Sequence, residues 1–327
     1  MASAVEILAI VRLARQCASD GVPAVLARLV SVEGSHYRKP GARMLLARDG
    51  RSAGAISAGC LEADLRERLP GVLSSGRAEI VEYDSRTFED LVWGLGSGCN
   101  GLVRILLSPF AGALRETLER ASDLLSNGRS VRLETVVSPA AGSTREAGDV
   151  RLLGERESPD EGRGGIFVEE IRPAISLLIV GRGPDAAPVA RLAAELGWAV
   201  SVLADRGEAA ARERFAGLPV AFAGGVEAAR TFPAHARSAA VVMSHRFADD
   251  AAALEALLPR GFPYLGVLGP RERTKRLLRS IAAEDAAARV RSPAGLNVGA
   301  ETAEEIALSI VAEIQEVLSG SAAPAQG

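Results

Sequence analysis

The sequence predicts an α/β protein in which an N-terminal α+β domain is followed by a domain with a parallel sheet. Its 327 residues are about twice the length of a typical domain. Strands and helices mix irregularly in the first half, whereas continuous apolar strands alternate with helices in the second. The pattern changes near 172–174, so we expect domains at 1–172 and 173–319 and a disordered, low-complexity tail at 320–327.

The first domain is predicted to begin with an amphipathic helix and to continue through short strands and further helices. Asp49-Gly50 is a turn dipeptide between two apolar stretches, so it predicts a hairpin. Residues 139–164 are polar and rich in glycine and proline, which fits either a flexible loop or a hairpin with short strands. The predicted helices are 3–19, 60–76 and 111–127, and the predicted strands are 22–34, 42–50, 52–57, 78–84, 101–110, 130–138 and 165–173.

The second domain is predicted to contain βαβ units. Residues 175–180, ISLLIV, form a continuous apolar run of the kind that a strand buried on both faces shows. A helix, a strand and a helix follow at 185–196, 199–205 and 208–216. Three further strands, PVAFAG, AAVVMSH and YLGVLG, are separated by helical or polar stretches, and this alternation is typical of a parallel sheet.

Composition excludes several classes of partner. The chain has 38 lysine and arginine residues against 41 aspartate and glutamate residues, so nothing favours nucleic acid or an anionic membrane. The first helix lacks the apolar core of a signal peptide, and no stretch approaches the ~18 apolar residues of a membrane span. Three cysteines without a secretion signal indicate a reducing compartment, so we expect a cytoplasmic protein.

The turn after ISLLIV carries a glycine motif. Gly181, Gly183 and Ala186 match G-x-G-x-x-A between a strand and a helix, which is the context of a Rossmann-like phosphate loop. The helix N-terminus offers N–H groups to an anion, and Asp205 stands where an acid can bind a ribose hydroxyl. Asp185 at the mouth of this loop repels a diphosphate. Binding of a nucleotide, binding of another anion, and packing without any ligand are therefore all open.

Two cysteines of the first domain follow glycines at junctions between elements. Cys60 precedes a helix, where the N-terminus favours the thiolate form. Cys99 lies between Gly98 and Asn100, just before a strand, in a segment with little side-chain bulk. Each thiol fits either a functional site or an inert buried position, whereas Cys17 on an apolar helix face fits the core.

The segment after the first strand is basic. Arg38, Lys39 and Arg43 surround Pro40-Gly41, and such cations beside a glycine turn suit a phosphate or another anion. The alternative is a solvated hairpin loop with ordinary surface charge.

His245 ends the strand AAVVMSH. Ligands of parallel sheets lie beyond the carboxyl ends of the strands, so His245 is a candidate to face the same crevice as Gly183. A capping or solvated histidine fits the sequence equally well. The chain has no C-x-x-C or histidine pair at zinc-ligand spacing, no G-x-S-x-G and no P-loop.

Together these segments resemble the XdhC/CoxI family, the accessory proteins of molybdenum hydroxylases such as xanthine dehydrogenase. The resemblance covers both domains and leaves out 139–164 and the tail. The matching stretches include GSHYRKPGARMLL, GAISAGCLEADL, WGLGSGCNGLVRILL, ISLLIVGRGPDAAPVARLAAELGWAVSVLADR and SPAGLNVGAETAEEIALSIVAEI.

The resemblance implies an N-terminal XdhC/CoxI-type domain, a Rossmann-like domain and a role as a cofactor chaperone without turnover of its own. Such proteins bind the molybdenum cofactor, protect it during sulfuration and deliver it to an apo-hydroxylase, which makes that hydroxylase, a cysteine desulfurase and a second copy of the chain the expected partners. Cys60 and Cys99 would be soft contacts for molybdenum. The implied cofactor-binding residues are Cys60, Cys99, Gly98, Asn100, Arg38, Arg43, Gly181, Gly183, Asp205 and His245.

The chain departs from the family pattern at three places. His36-Tyr37 replaces a proline-bearing stretch, Arg182 and Pro184-Asp185 alter the glycine turn, and Arg246 replaces an acid after His245. Two other functions are compatible with the residues. One is an NAD(P)-dependent oxidoreductase that uses the Rossmann crevice, and the other is a nucleotide or redox sensor.

Overall fold

A computed structural model describes residues 4–84, 101–154, 156–160, 164–203 and 208–320. The chain divides into two compact units, Met1–Pro173 and Ala174–Gly327. Among the described residues, no helix combines the length and the hydropathy that crossing a bilayer requires.

The first unit contains two antiparallel sheets. The larger sheet has the strand order β3-β2-β1-β5-β4, and the smaller has the order β7-β6-β8. The strands are β1 (Ala24–Gly34), β2 (Arg43–Ala47), β3 (Ser52–Gly54), β4 (Glu79–Asp84), β5 (Gly101–Pro109), β6 (Val131–Pro139), β7 (Val150–Leu153) and β8 (Gly164–Ile171). The described helices are α1 (Ala4–Ser19), α2 (Glu62–Ser75) and α3 (Gly112–Ser126).

Strand β1 is buried on both faces, which explains its long apolar run. Val25, Ala27 and Leu29 point into a core covered by α2, whereas Leu26 packs with α1, α3 and the smaller sheet. Successive side chains of a strand point to opposite faces, so one strand serves both cores. Within the polar stretch 139–164, the described residues include β7, which pairs antiparallel with β6 as in the hairpin alternative.

The second unit is a five-stranded parallel sheet with the order β11-β10-β9-β12-β13. Its strands are β9 (Ser176–Val180), β10 (Ala199–Leu203), β11 (Val220–Ala223), β12 (Ser238–Val242) and β13 (Tyr264–Val267). Its helices are α4 (Ala186–Glu195), α5 (Glu208–Arg214), α6 (Gly225–Thr231), α7 (Phe247–Leu257), α8 (Arg271–Ser280) and α9 (Ala303–Ser319), with 3-10 turns at Leu258–Arg260 and Glu284–Arg289. The predicted α/β fold class with a parallel sheet is confirmed.

The central strand β9 shows why ISLLIV reads as continuously apolar. Leu177 and Ile179 enter the core beneath α4 and α9, and Leu178 and Val180 enter the core beneath α6, α7 and α8. Strand β9 pairs in parallel with β10 on one side and with β12 on the other. The strand order therefore reverses between β9 and β12, and this switch point is where open α/β sheets bind ligands.

Candidate functional site

The glycine loop lies at the switch point between β9 and β12. Gly181 follows β9 with φ 143°, and a Cβ atom there would lie 2.5 Å from the carbonyl oxygen of Met243. Only glycine lets the chain turn this closely against the end of β12. Ala186, the third position of the motif, is fully buried at the start of α4, as close helix-strand packing requires.

A cavity of about 260 Å³ opens at the carboxyl ends of β9, β10 and β12. The glycine loop forms one side, and Ser244 and Arg246 after β12 form another. Its apolar wall includes Val180, Leu203 and Val226, and its charged side chains are Arg182, Arg246 and Asp249. Arg246 Nε lies 3.3 Å from Asp249 Oδ2. The described lining thus combines an apolar wall with one more cation than anion, which suits a small anionic ligand.

The side chain of His245 turns toward Asp185. His245 Nε2 lies 2.6 Å from Asp185 Oδ2, and the backbone of His245 is left-handed with φ 61°. Asp185 immediately precedes α4, yet its carboxylate makes no capping hydrogen bond to that helix. A Cβ atom on Gly183 would collide with Asp185 Oδ1. The carboxylate therefore fills the space beside the second glycine of the motif.

Asp250 and Arg273 hold the turn that carries His245, and the sequence analysis missed both. The fully buried carboxylate of Asp250 accepts hydrogen bonds from Ser244 N at 3.1 Å and from Ser244 Oγ at 2.5 Å. Arg273 Nη2 donates to Asp250 Oδ2 at 2.6 Å. The acidic Asp250 in the first turn of α7 could have been recognised from the sequence as a partner for the turn before that helix. Its arginine partner could not, because Arg273 comes from α8.

In the first unit, Cys60 is half-buried just before α2. The turn before it is fixed by Ser57, whose Oγ contacts Glu62 and accepts hydrogen bonds from Gly59 N and Leu61 N. Burial acts to raise the pKa of Glu62, but hydrogen bonds from the Ser57 hydroxyl and nearby backbone N–H groups lower it below its ordinary value. The Cys60 thiol therefore lies just before the first turn of α2, as the sequence predicted, on a turn held by hydrogen bonds to Ser57 and next to the Glu62 carboxylate.

The start of α2 lies at the edge of the larger sheet where β4 ends and β5 begins. Tyr83 of β4 donates a hydrogen bond to Asp64 in the first turn of α2. Gly101 opens β5 opposite Gly34 of β1, and a Cβ atom on Gly101 would lie 2.5 Å from the carbonyl oxygen of Glu33. The tight fit at Gly101 explains one glycine of the WGLGSGCNGL segment.

Four of the candidate residues lie outside the described part of the chain. They are Gly98, Cys99, Asn100 and Asp205. Their predicted roles stay predictions.

The two candidate arginines differ in surroundings. Arg38 is partly exposed and forms an ion pair with Glu6 of α1. Arg43 is fully buried, where its guanidinium pairs with Glu169 of β8 and donates to the Gly41 carbonyl oxygen at 3.0 Å. The expectation that Arg43 meets a phosphate is corrected by this placement, because β2 is buried along its whole length and the guanidinium lies in the interior, paired with Glu169.

Comparisons with known proteins identify the chain's relatives. A model of the XdhC and CoxI family matches residues 17–84, and a model of the XdhC Rossmann domain matches residues 177–314. Over 317 residues the chain is 34% identical to a Bacillus subtilis (strain 168) protein named as a probable subunit of xanthine dehydrogenase, and the match covers 90% of this chain and 93% of that protein. The chain belongs to the XdhC and CoxI family. The predicted resemblance is confirmed.

Two further proteins match over nearly the whole chain. The "Molybdenum cofactor insertion chaperone PaoD" of Escherichia coli (strain K12) is 28% identical over 319 residues, or 94% of this chain and 87% of that protein. A solved structure from Bacillus halodurans, described as a xanthine dehydrogenase, is 33% identical, with a TM-score of 0.77 and 98% of each chain covered. Cys60 falls in the XdhC and CoxI match, and Gly181, Gly183 and His245 fall in the XdhC Rossmann match.

Proposed function

We propose that this chain is an accessory protein that binds the molybdenum cofactor as cargo, protects it during sulfuration and delivers it to an apo molybdenum hydroxylase of the xanthine dehydrogenase type. One observation carries the proposal: a relative named as a molybdenum cofactor insertion chaperone aligns with 94% of the chain. A second relative, named as a probable part of xanthine dehydrogenase, supports the choice of hydroxylase.

The cavity of the second unit supports a role in holding the cofactor. Its apolar wall suits the face of a pterin, and Arg182 and Arg246 suit the phosphate that a pterin cofactor carries. Backbone N–H groups at Gly181 and Gly183 would add donors for that phosphate. His245 would orient the loop through Asp185.

In the first unit, Cys60 supports a role in contacting the metal of the cofactor. Thiolates are soft ligands that suit a molybdenum-sulfur centre. The Cys60 thiol is half-buried, and the turn that carries it is held by hydrogen bonds to Ser57 Oγ. Its exposed part would be available to contact the cofactor. Cys99, two residues before Gly101 in the sequence, would be a second thiol for this purpose. With Arg43 buried, Arg38 and Lys39 are the remaining candidate cations of the first unit.

Sulfuration needs a sulfur donor, so a cysteine desulfurase is the partner that we propose for that step. We propose that the protein works in the cytoplasm as a homodimer. No nucleic acid enters this function.

The test is a pterin assay on protein purified anaerobically from a host that makes the cofactor. Bound pterin is oxidised to its fluorescent derivative and counted per chain in wild type, Cys60→Ala and Cys99→Ala. Cys17→Ala is the matched control, because Cys17 is buried in the core beneath α1. We expect near-stoichiometric pterin in wild type and Cys17→Ala, and loss in the other two. Absence of pterin from the wild type would contradict the proposal.

A further inference from the structure

We infer that the cavity of the second unit takes an aromatic heterocycle that carries a single phosphate, and that Asp185, held by His245, excludes a second phosphate. The inference goes beyond the proposed function, because it concerns the number of phosphates and holds for any ligand of this cavity. A nucleoside monophosphate and a pterin monophosphate share the required chemistry.

The first step concerns the space beside Gly183. In a G-x-G-x-x-A loop, the second glycine lets a pyrophosphate approach the backbone. Here the Asp185 carboxylate lies against Gly183 so closely that a Cβ atom on the glycine would collide with Oδ1. The room that the motif opens for a pyrophosphate is therefore filled by a carboxylate of the chain itself.

The second step concerns how firmly that carboxylate is held. Its Oδ2 bonds His245 Nε2 at 2.6 Å, and the side chain of Asp185 is only 13% exposed. Oδ1 is buried, and within the described part of the chain no donor lies within hydrogen-bond distance of it. A second phosphate at this place would meet both the bulk and the like charge of the carboxylate, which oppose binding.

His245 is itself held from the other side. The turn 244–246 is anchored by Asp250, which accepts from Ser244 N and pairs with Arg273. Asp185 cannot swing away from Gly183 without breaking its bond to a histidine whose backbone is already fixed. These contacts hold the Asp185 carboxylate beside Gly183, where it excludes a second phosphate.

The third step concerns what the cavity offers to one phosphate. Arg182 and Arg246 line it, and Asp249 offsets one of these two charges. The volume of about 260 Å³ falls just below the roughly 300–1,000 Å³ typical of drug-sized ligands. An apolar wall with one net cation therefore fits a heterocycle with one phosphate. A dinucleotide is larger, and its pyrophosphate would lie beside the second glycine, where the Asp185 carboxylate already stands.

The experiment is calorimetric titration of the full chain with AMP, ADP, NAD⁺ and a monophosphorylated oxidised pterin. We expect wild type to bind at least one of the two monophosphates about tenfold or more tightly than ADP or NAD⁺, because of the like charge at Asp185. Asp185→Asn should tighten ADP binding about tenfold and leave the monophosphate affinities nearly unchanged.

Asp249→Asn is the matched control, because it removes an aspartate from the cavity lining and leaves the carboxylate beside Gly183 in place. It should tighten binding of AMP and ADP alike and leave their ratio unchanged. Circular dichroism checks that both variants fold. A pterin preferred over AMP assigns the cavity to a pterin, and the reverse assigns it to a nucleotide; both outcomes support the single-phosphate inference.

Three results would overturn the inference: ADP or NAD⁺ binding to wild type as tightly as the better monophosphate, an AMP-to-ADP ratio that Asp185→Asn leaves unchanged, or no binding of either monophosphate at millimolar concentration. The outcome is separate from the fate of the proposed function. If the protein binds AMP but contains no pterin after purification, the chaperone role is contradicted and the single-phosphate inference is supported.

Discussion

His245 Nε2 lies 2.6 Å from Asp185 Oδ2, and this bond joins the turn after β12 to the start of α4 across the switch point of the parallel sheet. The two residues are 60 positions apart in the sequence. The bond holds the Asp185 carboxylate beside Gly183, in the space where a dinucleotide-binding loop receives a pyrophosphate.

The left-handed backbone of His245 can be tested separately from its side chain. At φ 61° a β-branched residue is strained, so His245→Val should lower the free energy of unfolding by about 1–2 kcal/mol. His245→Asn should cost less, because asparagine tolerates this conformation. Urea denaturation of both variants measures the difference. Equal losses in the two variants would mean that the backbone at this position carries no strain.

Gly181 tests the close approach of the loop to β12. Gly181→Ala adds a Cβ atom 2.5 Å from the Met243 carbonyl oxygen and should cost at least about 2 kcal/mol of unfolding free energy. Gly217→Ala is the matched control, because Gly217 has φ 78° but no atom within 4 Å of its Cβ position. The control should show only the cost of the left-handed backbone, about 1–2 kcal/mol. Thermal melts that rank Gly217→Ala as the more damaging change would contradict this account.

The buried ion pair of the first unit should be important for folding. Arg43 and Glu169 are 0% and 6% exposed, so Glu169→Ala leaves an unpaired guanidinium in the core and should cost about 3–5 kcal/mol. Glu272→Ala breaks an exposed pair with Lys275 and should cost about 0–1 kcal/mol. Chemical denaturation of the two variants gives the comparison. A loss below about 1 kcal/mol for Glu169→Ala would show that the pair is not buried in solution.

Arg28 adds a second guanidinium to the same interior. It hydrogen-bonds Thr135 of β6, and burial lowers its pKa to about 10, partly opposed by Glu169. Removing Glu169 therefore leaves two buried cations uncompensated.

Glu134 predicts an acid-dependent loss of stability. A hydrogen bond from Arg151, helped by Arg145 and opposed by burial, lowers the pKa of Glu134 from 4.5 to about 2. Because the folded pKa is depressed, its contribution is present above about pH 4.5 and is lost as the pH falls toward about 2. The contribution is on the order of 3 kcal/mol.

Glu134→Gln should remove that contribution, so the difference in stability between the variant and the wild type should shrink as the pH falls below about 4.5 and should vanish only near about pH 2. Denaturation midpoints at several pH values between 7 and about 2.5 measure this. Arg145→Ala is a partial control, because it leaves the stronger Arg151 bond in place. A constant difference between wild type and Glu134→Gln across this range would contradict the assignment.

The sequence predicted those features of the fold that depend on residues close together in the chain. The run ISLLIV predicted the central parallel strand, because a strand with helices on both faces has no polar side. Gly181 and Ala186 predicted the strand-turn-helix joint, because a tight turn and close packing each demand small residues. Cys60 was placed correctly before α2, since glycine and acidic residues mark that helix start.

The contacts that individual side chains make with residues distant in the sequence were decided by the tertiary structure. Arg43 reads as a surface cation beside a glycine turn, but β8 brings Glu169 over it from 126 positions away and buries both. The hydrogen bond between Asp250 and Arg273 forms because α7 and α8 pack on the same face of the sheet. The sequence by itself determined the elements, the family and the glycine loop, because these depend on neighbouring residues. The charge at that loop depends on the strand order that sets β12 beside β9, and only the folded chain brings His245 to Asp185.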